Sequence, residues 1–339
     1  MWNLEGMKAF LIDRYGKEVE GDITEVPQPK VGDFDVLVET HAASVNVLDI
    51  KIRKGEFKLI LPFRMPLILG NDIAGTVKRV GGKVSRFRVG DEVYARVDQA
   101  RMGGFAEFVG VNEAAVALKP ANLSMQDAAS LPLVALTAWQ ALVEIAKVHP
   151  GQKVLIHAGS GGVGSIAIQV AKHLGAFVAT TTSTVNVPWV KALGADVVID
   201  YKTQPFESQL SDYDVVLSGL GADVLDKSLK VLKPGGQLIS ISGPPTPEFA
   251  EQLRLSWLFQ QIVRLISRGI RKKSEQKGVS YRFLFMRESG AQLAELAKLV
   301  EAGVIKPVVD RTFPLNATRD ALAYVAQGRA KGKVVVTMK

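Results

Sequence analysis

Residues 153–184 read KVLIHAGSGGVGSIAIQVAKHLGAFVATTTST, and this stretch decides the fold. A short apolar run, Val154 to Ile156, precedes the glycine turn Gly159-Ser160-Gly161-Gly162-Val163-Gly164. An apolar-periodic helix follows, and then a second strand from Phe177 to Thr181. Such a glycine pattern is a weak signal alone and a strong one between a strand and a helix. The glycines allow a tight turn and close approach of backbone to a pyrophosphate. The helix beyond supplies free N–H groups and a partial positive charge. The stretch therefore predicts a dinucleotide-binding unit; a plain strand-to-helix turn is the lesser alternative.

The end of the second strand bears on the cofactor. An NAD-binding unit usually carries Asp or Glu about 20 residues after the glycines, on the ribose 2′-OH. Here the region reads Thr180-Thr181-Thr182-Ser183-Thr184, and no Asp or Glu occurs from Ile145 to Ala195. A carboxylate would repel a 2′-phosphate, whereas hydroxyls donate to it, so NADPH (NADP) is favoured over NADH. Hydroxyls serving only as β-formers are the other reading.

Around this unit, 339 residues allow one large or two medium domains. A hydrophobic content of 47% with 22% charged residues describes an ordinary globular protein. No apolar run of membrane-spanning length occurs, and no secretory signal is read at the N-terminus. Met1 to Gly6 precede a second methionine, Met7, and read as an alternative start or an appended remnant. There is no cysteine, which removes thiolate catalysis and any cysteine-ligated zinc, and suits a reducing cytoplasm. The four histidines, His41, His149, His157 and His173, are scattered, so no metal centre is expected. The net charge of +8 suits an anionic cofactor without invoking nucleic acid.

From Met7 to about Val116 the chain shows short strands such as Asp35–Thr40 and Ala74–Val80, separated by glycine turns. A compact β-barrel-like domain is expected there. Helices are expected from Ser124 or Met125 through Ser130 and from about Thr137 to Val148. Strands near Val154, Phe177, Val197–Ile199, Val215–Ser218 and Leu238–Ile241 then alternate with helices near Val163–Leu174, Pro188–Leu193 and Asp223–Leu232. That alternation predicts a doubly wound parallel sheet. The fold class is α/β. The expected division is 1–124 with 305–339 as the β-rich substrate domain, and 125–304 as the dinucleotide domain. The run Gly332–Thr337 is expected to return to the first domain as a strand. One segment breaks the rhythm. Leu253 to Lys273 reads as a basic amphipathic helix, with Leu253, Trp257, Leu258, Ile262, Leu265 and Ile266 at helical spacing. The expectation is a helix packed on its own protein, with a solvated basic face; docking on a membrane or an acidic partner is the alternative.

The order of β-rich domain, GSGGVG turn and returning GKVVV strand resembles the medium-chain dehydrogenase/reductase superfamily. Ser44–Gly55 (SVNVLDIKIRKG), Gly70–Gly81 (GNDIAGTVKRVG), Leu131–Leu142 (LPLVALTAWQAL) and Leu193–Tyr201 (LGADVVIDY) are similar to its quinone oxidoreductase and alkenal/enone reductase branch. The resemblance implies a chaperonin-10-like β-barrel domain beside a Rossmann domain, and possible homodimers. The zinc branch carries Gly-His-Glu where this chain has Gly70-Asn71-Asp72, so a zinc-independent member is implied.

The resemblance also implies site roles. Gly161, Gly162 and Val163 offer backbone to the pyrophosphate. Ser183 approaches the 2′-phosphate, although Asn186 stands where the family often has a lysine. Tyr201 closes on the adenosine phosphate end, and Leu220 with Gly221 follows the strand lining the adenine ribose. Ser242, Gly243, Gly332 and Lys333 lie near the nicotinamide, and Asn46 and Thr137 around its ribose and phosphate.

The implied chemistry is NADPH-dependent hydride transfer, without metal, to an activated alkene (an α,β-unsaturated carbonyl) or a quinone. Such a reaction needs positioning and a donor at the developing oxyanion. Asn46, through the cofactor 2′-OH it holds, and Tyr94, as proton source, are the candidate catalytic residues. Asp49 is expected in a structural salt bridge with Lys51 or Arg53. The pocket is expected between the domains, lined by Phe57, Leu59 and Ile60 with Trp257 or Phe259. An NADPH-binding scaffold or sensor with little catalysis is the rival reading.

Overall fold

The structure is a computed structural model, and it describes residues 6–17 and 21–338. The reading of Met1 to Gly6 as an alternative start therefore lies outside the described residues, apart from Gly6. The chain divides into two compact units, Met1–Leu136 with Arg287–Lys339, and Thr137–Met286. The boundaries expected from sequence, 124/125 and 304/305, both fall inside the first unit.

The first unit begins with β1 (Gly6–Ile12), β2 (Asp22–Pro27), β3 (Asp35–Val45), α1 (Val47–Lys54) and β4 (Leu67–Ile68). It continues through β5 (Asp72–Val80), β6 (Glu92–Arg96), β7 (Phe108–Asn112), β8 (Val116–Leu118) and α2 (Met125–Ala129). Ser124 caps α2, its hydroxyl oxygen accepting from Asp127 N. Next, α3 (Pro132–Trp139) runs across the boundary and passes into a π-helical stretch, Gln140–Ile145. Thus the single helix expected from Thr137 to Val148 starts earlier and widens midway.

The second unit holds β9 (Lys153–Ile156), α4 (Gly162–His173), β10 (Phe177–Thr182), α5 (Val187–Ala192), β11 (Val197–Asp200) and β12 (Tyr213–Ser218). It is completed by α6 (Ala222–Val231), β13 (Leu232–Ser240), α7 (Pro247–Gln252), α8 (Trp257–Gln276) and β14 (Ser280–Phe283). All six strands are parallel, in the order β11-β10-β9-β12-β13-β14. This is a doubly wound sheet whose winding reverses between β9 and β12. Leu155, Val216 and Leu238 are wholly buried in its core, each worth about 1.5–3 kcal/mol. Sequence reading missed β14, a four-residue strand directly after a long charged helix.

The chain then re-enters the first unit as α9 (Gly290–Glu301), β15 (Val309–Pro314), α10 (Thr318–Ala326) and β16 (Lys333–Thr337). As expected, the last strand returns: β16 pairs antiparallel with β3 and parallel with β15. The order β15-β16-β3-β5-β6-β8 curls around a core that includes Val38, Ile73, Val93 and Val336. Helix α9 belongs with this barrel because a Cβ on Gly290 would stand 2.1 Å from Val116 O, so the two backbones touch closely.

The amphipathic segment is helical from Trp257 onward and packs on its own protein with its basic face solvated, as expected, but not through the apolar residues that periodicity singles out. The buried residues of α8 are Val263, Ser267, Ile270 and Ser274. Trp257, Leu258, Ile262, Leu265 and Ile266 are all exposed, between 42% and 72%. Periodicity identified an apolar face; the face that packs is a different one, narrow enough to approach because two of its members are serines.

Candidate functional site

In the second unit, Gly161 is the N-cap of α4, directly after β9 and its turn. Gly161 N donates to Ala158 O at 2.9 Å, and Gly159 N to Thr181 O at 2.9 Å. Ala158 has φ +54°, a left-handed conformation that costs a non-glycine residue about 1–3 kcal/mol. Two glycines are required by contact. A Cβ on Gly164 would lie 2.3 Å from Ala158 O, and one on Gly159 2.2 Å from Thr180 Oγ1. At Gly161 a Cβ would meet only Ala158 O, at 3.3 Å, so its outer side is open. The first N–H groups of α4, from Gly162, Val163 and Gly164, have no acceptor within the helix. No acidic residue stands in that first turn. An anion with several acceptor oxygens fits this turn.

The neighbouring strand ends carry the other expected residues. Ser183 follows β10, and its hydroxyl accepts from Asn186 Nδ2 at 3.1 Å; Asn186 in turn accepts from Trp189 Nε1 at 3.0 Å. Tyr201 is exposed, and its N–H donates to Thr182 O at 3.1 Å, which brings it beside Ser183. The topology also delivers a carboxylate that the sequence window did not contain. Asp200 ends β11 opposite Thr182 and accepts from Thr184 Oγ1 at 2.6 Å and from Lys202 N at 3.0 Å. Those donors, Thr184 first, hold its carboxyl below the usual range. After β12, Leu220 N donates to Ser218 Oγ at 3.2 Å, and Gly221 is the N-cap of α6. Ser242 Oγ donates to Leu220 O at 3.3 Å, and Gly243 N to Ser240 Oγ at 2.8 Å, which joins the ends of β12 and β13. Thr137 is buried in α3.

His157, which sequence reading did not single out, pins this region. Its Nδ1 lies 3.1 Å from Thr181 Oγ1 and its Nε2 2.9 Å from Ser228 Oγ. Because the Ser228 hydroxyl donates to Val224 O, it accepts from Nε2–H, and Nδ1 is left to accept from Thr181. Burial pushes the ring down to about 4, so it is neutral at pH 7. A lone histidine at a strand end gives no sequence signal for this role.

The first unit gathers a buried polar cluster around Asn46 and Lys333. Asn46 is the N-cap of α1, and its N–H donates to Asp49 Oδ2 at 2.7 Å. Asn46 Nδ2 donates to Asp72 Oδ2 at 2.9 Å, as does Ser44 Oγ at 3.0 Å. Leu133 N donates to Asp72 Oδ1 at 2.9 Å. Asn71 Nδ2 donates to Asp49 Oδ1 at 2.6 Å. Lys333 Nζ donates to Val45 O at 3.1 Å and to Asn46 Oδ1, and stands 3.5 Å from Asp72 Oδ2. Burial lowers the lysine's pKa and raises that of Asp49 to about 6. Gly332 directly precedes this lysine. Arg96, 2% exposed, adds a second buried cation; its Nη1 donates to Val97 O at 2.8 Å and lies 3.4 Å from Glu288.

Two expectations are corrected. Asp49 forms no salt bridge with Lys51 or Arg53; it is wholly buried, closing the α1 capping box and accepting from Asn71. Tyr94 is 1% exposed, and its hydroxyl donates to Leu293 O at 2.6 Å. Burial pushes the phenol's pKa far up. It is a core residue of the barrel and is not a proton source for a ligand.

The chain matches two family models, "Alcohol dehydrogenase GroES-like domain" over residues 32–121 and "Zinc-binding dehydrogenase" over residues 193–336. It is 35% identical to the zebrafish (Danio rerio) mitochondrial NAD(P)H oxidoreductase RTN4IP1, over 98% of this chain and 91% of that protein. It is also 35% identical to the chloroplastic NADPH-dependent alkenal/one oxidoreductase of Arabidopsis thaliana, over 97% of this chain and 79% of that one. The solved quinone oxidoreductase of Coxiella burnetii superposes with a TM-score of 0.86 at 31% identity, covering 99% of this chain and 100% of that one.

The second model's description implies zinc, and the residues here do not fit it. At Asn71-Asp72 both available carboxylates, Asp49 and Asp72, are taken up by N–H and O–H donors. Lys333 already sets a positive charge against Asp72. Neither cysteine nor histidine is in the set.

Proposed function

We propose that this chain, which belongs to the quinone and alkenal/enone oxidoreductase branch of the medium-chain dehydrogenase/reductase superfamily, reduces activated alkenes of α,β-unsaturated carbonyl compounds, or quinones, with NADPH. One observation carries the reading. Where the zinc branch has His-Glu, this chain has Asn71-Asp72, with Asp72 engaged by Ser44 and Asn46 beside the buried Lys333. That cluster donates hydrogen bonds, and its carboxylates are occupied. Alcohol oxidation needs a free base or a Lewis acid. Reduction of an already electrophilic carbon needs only a positioned donor for the developing oxyanion.

When bound, the reduced nicotinamide supplies the hydride. The protein's own part begins at the open N–H groups of Gly162 and Val163, with Gly161 beside them, which bind the pyrophosphate. Ser183 and the exposed Tyr201 receive the adenosine 2′-phosphate, with Lys202, next to Tyr201 in sequence, as a cation. The preference for NADPH rests on these groups, which must outweigh the negative charge of Asp200 beside them. Leu220, Gly221, Ser242 and Gly243 frame the ends of β12 and β13, and Thr137 contributes its hydroxyl. Asn46, braced by Asp72 and Lys333, orients a ribose hydroxyl toward the oxyanion. Homodimers through the edge of the six-stranded sheet and a cytoplasmic location belong to the same proposal. No helix among the described residues is long and apolar enough to cross a membrane.

The test is steady-state NADPH oxidation against a panel of enones, alkenals, quinones and simple aldehydes. Turnover is expected with the first three and not with unconjugated aldehydes. Tight NADPH binding with no turnover on any of them would leave a sensor and sink the enzyme reading.

A further inference from the structure

We propose that α8 docks the protein on the surface of an anionic lipid bilayer. The helix has three faces. At about 100° per residue, Val263, Ser267, Ile270 and Ser274 fall in one row, and all four are buried. Ser267 and Ser274 satisfy their hydroxyls on Val263 O and Ile270 O, both at 2.9 Å, so this row seats on the protein without open polar groups. Lys273 fixes the seat through an ion pair with Asp226 of α6.

About a third of a turn away lies a second row, Leu258, Ile262, Leu265 and Ile266, and it is exposed. Large apolar side chains clustered on one exposed helix face mark an interaction surface. The third row holds Arg264, Arg268 and Lys272, which are exposed and form no ion pair among the described residues. From Gln252 to Ser274 the sequence has no acidic residue and six basic ones.

An exposed apolar stripe edged by unpaired cations, with the exposed Trp257 heading the cationic row, is the pattern of helices that lie in the plane of a bilayer. Charge decides between occupants. A second copy joined face to face would oppose Arg264 and Arg268 to themselves, while an anionic lipid surface neutralises them. The proposal stands apart from the hydride chemistry, and its readout does not use it.

The test is flotation of the full-length protein with phosphatidylcholine vesicles, with and without phosphatidylglycerol, over a salt series. Co-flotation is expected with the anionic vesicles and should fall as salt rises. Leu258→Glu with Leu265→Glu should abolish it. Arg264→Glu with Arg268→Glu should weaken partition more than about twentyfold, at about fivefold per lost cation. Both pairs should keep the wild-type circular dichroism and NADPH-binding affinity, which separates lost docking from lost folding. The proposal is overturned if the wild type stays unbound on anionic vesicles or floats equally with neutral ones. It is also overturned if the apolar stripe instead supports a dimer in sedimentation that Leu265→Glu dissolves.

Discussion

Replacing Lys333 with Met tests the buried cluster most sharply. The ammonium is 5% exposed and stands 3.5 Å from Asp72 Oδ2. At an effective dielectric of about 20, a charge pair at that distance is worth about 5 kcal/mol. The substitution recovers the lysine's own cost of burial, but leaves Asp72 without its nearest cation and Val45 O and Asn46 Oδ1 without a donor. Removing one partner of a buried pair typically costs about 3–5 kcal/mol. A melting temperature lowered by on the order of 10 °C is therefore expected. The assay is thermal and urea unfolding at pH 7 of the wild type, Lys333→Met, Asp72→Asn and the double variant. Because the second substitution removes the stranded charge, the double variant should be less destabilised than the sum of the singles, by at least about 1 kcal/mol. A single variant as stable as wild type, or strict additivity, would refute the claim that Lys333 and Asp72 balance one another.

Other outcomes follow from the same geometry. His157 is lowered to about 4 when folded and returns to about 6.5 when unfolded. The unfolded chain thus binds the extra proton between those values, and stability should fall as pH drops through that window, by up to about 3 kcal/mol. His157→Asn should flatten this acid slope in melts between pH 7.5 and 4.5, and a slope unchanged by the substitution would assign it to other groups. Gly164→Ala, whose Cβ meets Ala158 O, should cost at least about 2 kcal/mol and abolish NADPH binding by calorimetry. Gly161→Ala should fold normally yet bind NADPH more weakly; equal binding would move the pyrophosphate elsewhere. Ser183→Asp should raise KM for NADPH at least tenfold while sparing NADH, and a parallel rise for both would remove Ser183 from the 2′-phosphate.

What the sequence made legible was local. The Gly159–Gly164 turn declares itself because strand, turn and helix are contiguous, and its glycines answer to contacts with Ala158 and Thr180 only a short way off in the chain. The returning strand β16 was equally readable, from its flanking glycine and valine run. What escaped is held together by topology. Asp200 reaches Thr184 because β11 lies beside β10, so a scan for carboxylates along one strand could not find it. Asp49 meets Asn46 locally, but Asn71, Asp72 and Lys333 join that pair across long sequence separations; the only hint was Asn71-Asp72 in place of His-Glu. Tyr94 looked like a proton source as a residue type, and only burial against Leu293 O shows otherwise. For α8, periodicity gave an apolar face but could not say which face the protein covers.

The central claim is that hydride passes from the bound nicotinamide to an activated carbon. It is tested most directly with NADPH carrying deuterium at C4, incubated with an α,β-unsaturated ketone, and mass spectrometry and NMR of the product. The account predicts a saturated ketone with deuterium on the β-carbon. Deuterium on the carbonyl carbon of an alcohol product, or NADPH bound tightly with no labelled product from any enone or quinone, would contradict it.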